Sequence, residues 1–175
     1  MADPADAAAP TDAAPERFEV TRVIGADRAA VFAVLCDPDG HVAIDSSGML
    51  QSAEGDVVAA AGDRFVVHMD REALGDFPLG RYDVTVVIED FEPDALISWK
   101  IEGQIKPQIG HVYGYRLADG EDGTEVTSFY DWSGIDPQWR EAGIFPVIPE
   151  SALRATLGIL ERAVLRGYPQ PGRDA

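Results

Sequence analysis

Residues 150–167 read ESALRATLGILERAVLRG, and this stretch decides the fold. Its large apolar side chains recur every three or four residues, which places them on one face of an α-helix. We expect Glu150 or Ser151 to cap its start, and Gly167 followed by Pro169 to end it. So apolar a face needs a concave surface to pack against. The face consists of Leu153, Leu157, Leu160 and Val164, widened by Ile159 and Ala163.

Composition excludes several classes of protein. The chain has 175 residues, enough for one domain with a sizeable core, and its formal net charge of -17 disfavours nucleic acid and anionic membranes as partners. No apolar run approaches the roughly 20 residues of a membrane span, and a signal-peptide pattern is missing, so we expect a cytoplasmic protein without integral membrane insertion. The single cysteine, Cys36, excludes an intramolecular disulfide and a cysteine-rich zinc site, and three well-separated histidines disfavour a metal site. We expect no cofactor, and a monomer or homodimer.

The N-terminal part of the chain divides into a tail, a strand and two helical segments. Residues 1–16 are rich in Ala, Asp and Pro and are predicted to be disordered, residues 17–168 form the domain, and residues 169–175 are a short tail. Alternation over residues 18–25 predicts a strand, and Asp27 is a predicted N-cap. The Asp-Pro-Asp-Gly sequence at 37–40 predicts a turn that ends this helix, and residues 41–47 a second short helix or tight loop.

The middle of the chain is typical of an antiparallel sheet. We predict strands near residues 49–54, 63–71, 81–91, 95–103, 111–118 and 124–132, because apolar and polar residues alternate there between turn sequences. The predicted fold class is α+β: a curved seven-stranded antiparallel sheet wrapped around the C-terminal helix. One helix cannot cover so much inward surface, so we expect a cavity between them. The predicted inward residues are Phe65, Val67 and Met69; Tyr82, Val84, Val86 and Ile88; Ile97, Trp99 and Ile101; His111, Tyr113, Tyr115 and Leu117; and Val126, Ser128, Tyr130 and Trp132. If the strand at residues 111–118 slips by one residue, its other face points inward.

Several stretches in series resemble one superfamily. Residues 20–41 (VTRVIGADRAAVFAVLCDPDGH) resemble the strand-then-helix opening of the START-like or SRPBCC proteins, the polyketide cyclase/dehydrase group with the helix-grip fold. Residues 63–69 (DRFVVHM) and 123–127 (GTEVT) resemble two of its strands, so the resemblance spans about residues 18–166. Residues 41–48 (HVAIDSSG) are similar to an H-x-x-I-D-G-S-G stretch of a small subgroup, with Ser46 in place of glycine. The superfamily includes lipid carriers, hormone receptors, cyclases and stress regulators, so the resemblance implies a fold more than a function.

The candidates for acid–base chemistry are His41, Asp45 and His111. His41 and Asp45 are four residues apart and on a helix could hydrogen-bond, which would raise the histidine pKa and fix its tautomer. With a nearby tyrosine, such a pair has the side-chain types that a cyclase or dehydratase requires. We favour a structural interpretation of the pair: Asp45 caps a turn over residues 46–48, and His41 caps the preceding helix end.

Two main functional hypotheses follow. The first is the binding of a small, largely apolar molecule between sheet and helix, entering past the loops at residues 71–80 and 103–110, with residues 133–149 as a lid or as a plug that completes the core. The second, which the resemblance implies, is a cyclase, aromatase or dehydratase with His41 or His111 as base. A third is a protein-interaction domain that uses its acidic surface. The predicted ligand-binding residues are Phe65, Met69, Trp99, Tyr113, Tyr115, Tyr130, Trp132 and Leu157.

Overall fold

The computed structural model describes residues 15–75 and 77–171. The predicted tail at residues 1–16 therefore lies outside the described residues except at its last two positions, and so do residues 172–175 of the C-terminal tail. No helix in the described part of the chain is long and apolar enough to cross a membrane.

Seven strands form one antiparallel sheet, as the alternation predicts. The order across the sheet is β1-β7-β6-β5-β4-β3-β2, so consecutive strands from β2 to β7 are neighbours and β1 pairs with β7. The predicted fold class is therefore confirmed. The strands are β1 (Arg17–Ile24), β2 (Leu50–Glu54), β3 (Arg64–Asp70), β4 (Arg81–Glu92), β5 (Leu96–Glu102), β6 (Val112–Gly120) and β7 (Gly123–Asp131).

One face of the sheet is apolar and faces the helices. The pairing of Trp99 with Tyr113, and of Tyr113 with Tyr130, aligns aromatic side chains across β5, β6 and β7 on this face. Within the strands, the buried members of the predicted inward sets are Phe65 and Val67, Val86 and Ile88, Ile97 and Trp99, Tyr115 and Leu117, and Val126, Ser128 and Tyr130. On the outer face Phe129 covers Gly114, where a Cβ would lie 2.4 Å from its ring. A side chain at position 114 would have to displace that ring.

Two consecutive helices, α1 (Arg28–Cys36) and α2 (Pro38–Ile44), share one capping residue. Asp27 starts α1 by accepting a hydrogen bond from the Ala30 N–H at 2.7 Å, as predicted. The predicted turn at residues 37–40 is wrong, because Asp37 ends α1 and caps α2, with Pro38 in its first turn. Asp37 is buried, and its carboxylate also accepts hydrogen bonds from the Tyr168 hydroxyl (2.7 Å) and the Gln170 amide (3.1 Å).

The C-terminal helix, α4 (Glu150–Arg166), packs its apolar face on α1, α2, β1 and β7. Its most deeply buried residues are Leu157 and Leu160, as the spacing predicts, although Ala163 is more buried than Val164. The predicted N-cap is wrong: Pro149 occupies that position and makes no side-chain capping bond. Between β7 and α4 the chain forms a further short helix, α3 (Pro137–Ala142), which no apolar period indicated.

Candidate functional site

The inner face of the sheet is covered by three helices rather than by α4 alone. His41 of α2 lies against β3 and β5, and Phe32 of α1 lies edge-on to Phe91 of β4 at 5.4 Å. The two clearest concavities among the described residues, of about 760 and 600 Å³, lie at the first turn of α1 and beside His68 on β3. Neither lies between the sheet and α4. The central cavity between the sheet and α4 therefore stays a prediction, and α1 and α2 cover part of the surface that the prediction left to α4 alone.

A row of aromatic rings runs along the inner face. The His41 ring meets the rings of Phe65 and Trp99 edge-on, at 4.8 and 4.7 Å between centroids. Trp99 stacks on Tyr113 at 6.3 Å, and Tyr113 stacks on Tyr130 at 4.6 Å. Such contacts stabilise each pair by roughly 0.5–1.5 kcal/mol beyond area burial and hold the rings in fixed positions.

His41 is held inside the helical layer. Its Nε2–H donates a hydrogen bond to the Leu35 carbonyl oxygen at 2.8 Å, a group left without a helical partner at the end of α1. Burial lowers the pKa of His41 to about 4, although the Leu35 carbonyl and the charge of Asp37 act in the opposite direction. At neutral pH this imidazole is uncharged and part of the core.

Asp45 does not pair with His41. It lies at the C-cap of α2, where one carboxylate oxygen accepts from the N–H and hydroxyl of Ser47 (2.9 and 2.6 Å) and the other from the Leu50 N–H (3.0 Å). These contacts agree with the favoured structural interpretation, in which Asp45 caps the following turn and His41 bonds the end of the preceding helix; the alternative, a His41–Asp45 hydrogen bond, does not form. The four-residue rule holds only within a helix, and α2 ends at Ile44.

Ser46, which stands where the resembling subgroup has glycine, joins α2 to α4. Its hydroxyl donates to the Ala152 carbonyl oxygen (3.2 Å) and accepts from the Thr156 hydroxyl (3.0 Å). Within residues 15–75 and 77–171, Asp94 is the single non-glycine residue with positive φ, so serine at position 46 carries no left-handed strain.

His111 lies beside two tyrosines at the start of β6. Its Nδ1 is 3.0 Å from the Tyr130 hydroxyl, and its ring is edge-on to Tyr113 and to Phe145. Burial lowers the pKa of His111 to about 4, so the ring is neutral at pH 7. Burial also raises the pKa of Tyr130 and of Tyr113, so both phenols keep their protons. His111, Tyr113 and Tyr130 can therefore form hydrogen bonds with a ligand but carry no charge at pH 7.

We call one end of the sheet, at which β3, β5 and β7 finish, the mouth. It is bounded by the loops at residues 71–80 and 103–111 and by residues 132–149, because these segments follow the three strands. Trp139 of α3 ties two of these segments together by donating from Nε1 to the Pro107 carbonyl oxygen at 2.9 Å. Five large apolar residues on these segments are 40–45% exposed and form what we call the apolar rim: Leu74, Phe77, Leu79, Ile105 and Ile144.

The predicted ligand-binding residues fall into two groups. Those near the mouth, Met69 and Tyr113, are half-buried and can be reached. The others are buried in the core: Phe65, Trp99, Tyr115, Tyr130, Trp132 and Leu157. Sequence reasoning assigned no binding role to four half-buried residues near the mouth, although the strand alternation indicated the first two of them: Val84, Ile101, Ile109 and Phe145.

The remaining chemistry-bearing side chains suggest no metal or thiol chemistry. Across residues 15–75 and 77–171, no three His, Cys, Asp or Glu side chains are placed to hold a metal ion. Cys36 is buried in the core, and burial, with smaller effects from Asp94 and Asp37, raises the pKa of its thiol to about 12.

Comparison with known proteins defines the fold. No protein-family model matches the sequence, and a search of curated proteins also finds no match. Among solved structures, the chain is similar to protein CV1439 from Chromobacterium violaceum (13% identity, TM-score 0.59, covering 85% of this chain and 96% of that one). It is also similar to the AHSA1-like protein from Aeromonas hydrophila (19%, 0.56, 88% and 98%) and to the Aha1 dimer from Colwellia psychrerythraea (14%, 0.56, 87% and 98%). At these identities the similarity establishes the helix-grip fold and no more.

Proposed function

We propose that this protein binds a small, largely apolar molecule at the mouth, between the inner face of the sheet and residues 143–149. One observation carries the proposal: half-buried apolar side chains on the inner face continue outward into the apolar rim. Exposed apolar residues that occur singly need no explanation, but several on the segments around one opening indicate a site of interaction.

The chemistry of the lining favours a lipid-, polyketide- or aromatic-like ligand. Burying a side chain of the size of Leu or Phe stabilises a complex by about 1.5–3 kcal/mol before the costs of association. Met69, Ile101 and Phe145 offer apolar surface of this kind, and because Tyr113 already stacks on Trp99 and Tyr130, its ring edge could contact the face of a planar ligand.

Binding can be tested by ligand-dependent thermal stability. A panel of lipids, steroids and polyketides should contain compounds that raise the unfolding temperature in proportion to the logarithm of their concentration above Kd. The variant Met69→Trp should abolish the shift because it fills the mouth. The matched control is Val23→Trp, at an exposed position near the opposite end of β1, which should keep the shift. A panel without any shift would remove the proposal.

Native mass spectrometry of the protein purified from its own cells provides an independent test. A co-purifying apolar compound, identified after denaturation, would name the ligand class. If the protein carries nothing and the panel also gives no shift, the binding proposal fails on two separate measurements.

The alternative is catalysis of a cyclase, aromatase or dehydratase type. The observation that favours it is the buried imidazole–phenol pair of His111 and Tyr130 near the mouth. His41 and Asp45 do not form such a pair, so an enzyme of this type would use His111. His111→Gln should then abolish turnover of an active substrate while leaving the unfolding temperature within a few degrees, and full activity in that variant would exclude this role.

We also propose membership of the START-like superfamily and a cytoplasmic location. The first is supported by the shared fold and the motif resemblance, and the second by the composition. For the oligomeric state we keep monomer or homodimer, and the similarity to the Colwellia psychrerythraea dimer makes the homodimer worth testing by sedimentation.

A further inference from the structure

Among residues 15–75 and 77–171, the Nε2 atom of His111 has no hydrogen-bond partner. The Nδ1 atom contacts the Tyr130 hydroxyl, and the other contacts of the ring are aromatic. Among the described residues, no fully buried side-chain nitrogen or oxygen lacks a hydrogen bond, so Nε2 must reach accessible space. Yet only 6% of the residue is exposed. A polar atom at the bottom of so narrow an opening is satisfied by a ligand or by water.

The neighbours of Tyr130 determine which nitrogen carries the proton. Among the described residues, Nδ1 of His111 is the one hydrogen-bond partner of the Tyr130 hydroxyl, and Tyr130 is fully buried. A hydroxyl proton directed anywhere else would be buried without an acceptor, so Tyr130 donates it to Nδ1 of His111, 3.0 Å away. The proton of the neutral imidazole is then on Nε2.

We propose that His111 presents its Nε2–H as a hydrogen-bond donor to the ligand at the mouth, and that the ligand is an apolar compound bearing a neutral carbonyl oxygen. This inference rests on the proposed ligand binding and deepens it. It also assigns His111 a role opposite to that of a general base, because Nε2 has no free lone pair in this tautomer.

A neutral acceptor suits this site better than a carboxylate. An anion buried without a cation is strongly destabilised, and His111 stays uncharged at pH 7 because burial lowers its pKa. One cationic group near the mouth is Arg71, which acts to lower the pKa of Tyr113 against the larger effect of burial and whose guanidinium lies 5.2 Å from the centre of the Phe77 ring. The formal net charge of -17 further disfavours an anionic ligand.

The tautomer can be observed directly. Long-range ¹H–¹⁵N correlation spectra of the full chain at pH 7 should show His111 with a protonated Nε2 and an unprotonated Nδ1. In Tyr130→Phe, which removes the donor to Nδ1, the fraction of the Nδ1–H form should rise. A wild-type His111 with the proton on Nδ1 would overturn the inference.

Recognition of the carbonyl can be tested with shape-matched probes. 2-Acetylnaphthalene and 2-isopropenylnaphthalene differ by a C=O in place of a C=CH₂. The ketone should bind the wild type about 2- to 10-fold more tightly, the ratio that one net hydrogen bond provides. His111→Phe should lose this preference, and His68→Phe on the outer face is the matched control that should keep it.

Each outcome of this experiment decides between the two proposals. Equal binding of both probes by the wild type overturns the carbonyl inference and leaves apolar binding standing. Binding of neither probe, at concentrations up to their solubility, overturns the inference and counts against the proposed function itself. Tighter binding of 2-naphthoate than of the ketone would exclude a neutral acceptor as the preferred ligand.

Discussion

The three histidines of this chain should give its stability a pH dependence of mixed sign. His41 has a pKa lowered by burial to about 4, against about 6.5 in an unfolded chain. As the pH falls below 6.5, the unfolded chain takes up a proton at this position and the folded protein does not. The free energy of unfolding therefore falls between pH 6.5 and 4, and the contribution is constant outside that window.

The magnitude follows from the two pKa values. Between pH 7.5 and 5, a shift from about 6.5 to about 4 removes about 2 kcal/mol of stability for one histidine. His111, whose pKa is also lowered to about 4 by burial, should remove a similar amount. We expect His41→Gln, which keeps a donor for the Leu35 carbonyl, to be less stable overall and to lose about 2 kcal/mol less than the wild type across this range.

Urea unfolding at pH 7.5, 6.5, 5.5 and 5.0 would measure this difference. The carboxylates titrate alike in the variant and in the wild type, so their contribution to the free energy of unfolding cancels in the comparison. His68→Gln is the control of opposite sign. Hydrogen bonds to Asp83 and then to Glu54 raise the pKa of His68, so its contribution is present at low pH and is lost as the pH rises through the folded pKa. That variant should lose more stability on acidification than the wild type. An unchanged pH dependence in His41→Gln would refute the reasoning.

Further substitutions test packing and the shared cap. Gly114→Ala should lower the free energy of unfolding in urea by about 1–3 kcal/mol, because the new Cβ would lie 2.4 Å from a ring carbon of Phe129 in β7. Gly158→Ala, whose Cβ would have nothing within 4 Å, should raise it by about 0.5–1 kcal/mol. Equal effects of the two substitutions would contradict this. Asp37→Asn should cost about 1–3 kcal/mol, and a double-mutant cycle with Tyr168→Phe should show a coupling well above zero if their 2.7 Å hydrogen bond matters. Leu157→Ala, at a position that is 1% exposed, should cost about 2–5 kcal/mol by the same assay; a loss below 1 kcal/mol would show that α4 is not firmly packed.

The sheet could be predicted from the sequence because its two faces differ in polarity. Alternation with a period of two identified every strand within two residues, and the inward residues of β6 and β7 lie where the pattern placed them. The C-terminal helix was as clear, because Leu153, Leu157 and Leu160 define one stripe. These signals are local, because each depends only on the spacing of apolar residues within one segment of the sequence.

The errors arose where one short sequence supports two structures. Asp-Pro-Asp-Gly is favourable for a turn, but an aspartate followed by proline is equally an N-cap and first helical residue, and the burial of Asp37 against Tyr168 decides for the helix. The His41–Asp45 pair, which was the less favoured interpretation, does not form because α2 ends at Ile44 and Asp45 caps the following turn. The group formed by His111, Tyr113 and Tyr130 joins two strands, so its geometry depends on a register that the sequence left open.

The place of β1 in the sheet has a consequence for folding during synthesis. Strands β2 to β7 form successive hairpins, and each can pair as soon as it leaves the ribosome. The first strand, by contrast, must wait for the last one: Arg17 and Asp131, which share a salt bridge, are 114 residues apart. At roughly 5–20 residues per second, this separation corresponds to a delay of about 6–23 s. During that interval β1 has neither its strand partner nor α4 to cover it, so nascent chains should expose their N-terminal strand to chaperones until almost the whole domain has been made.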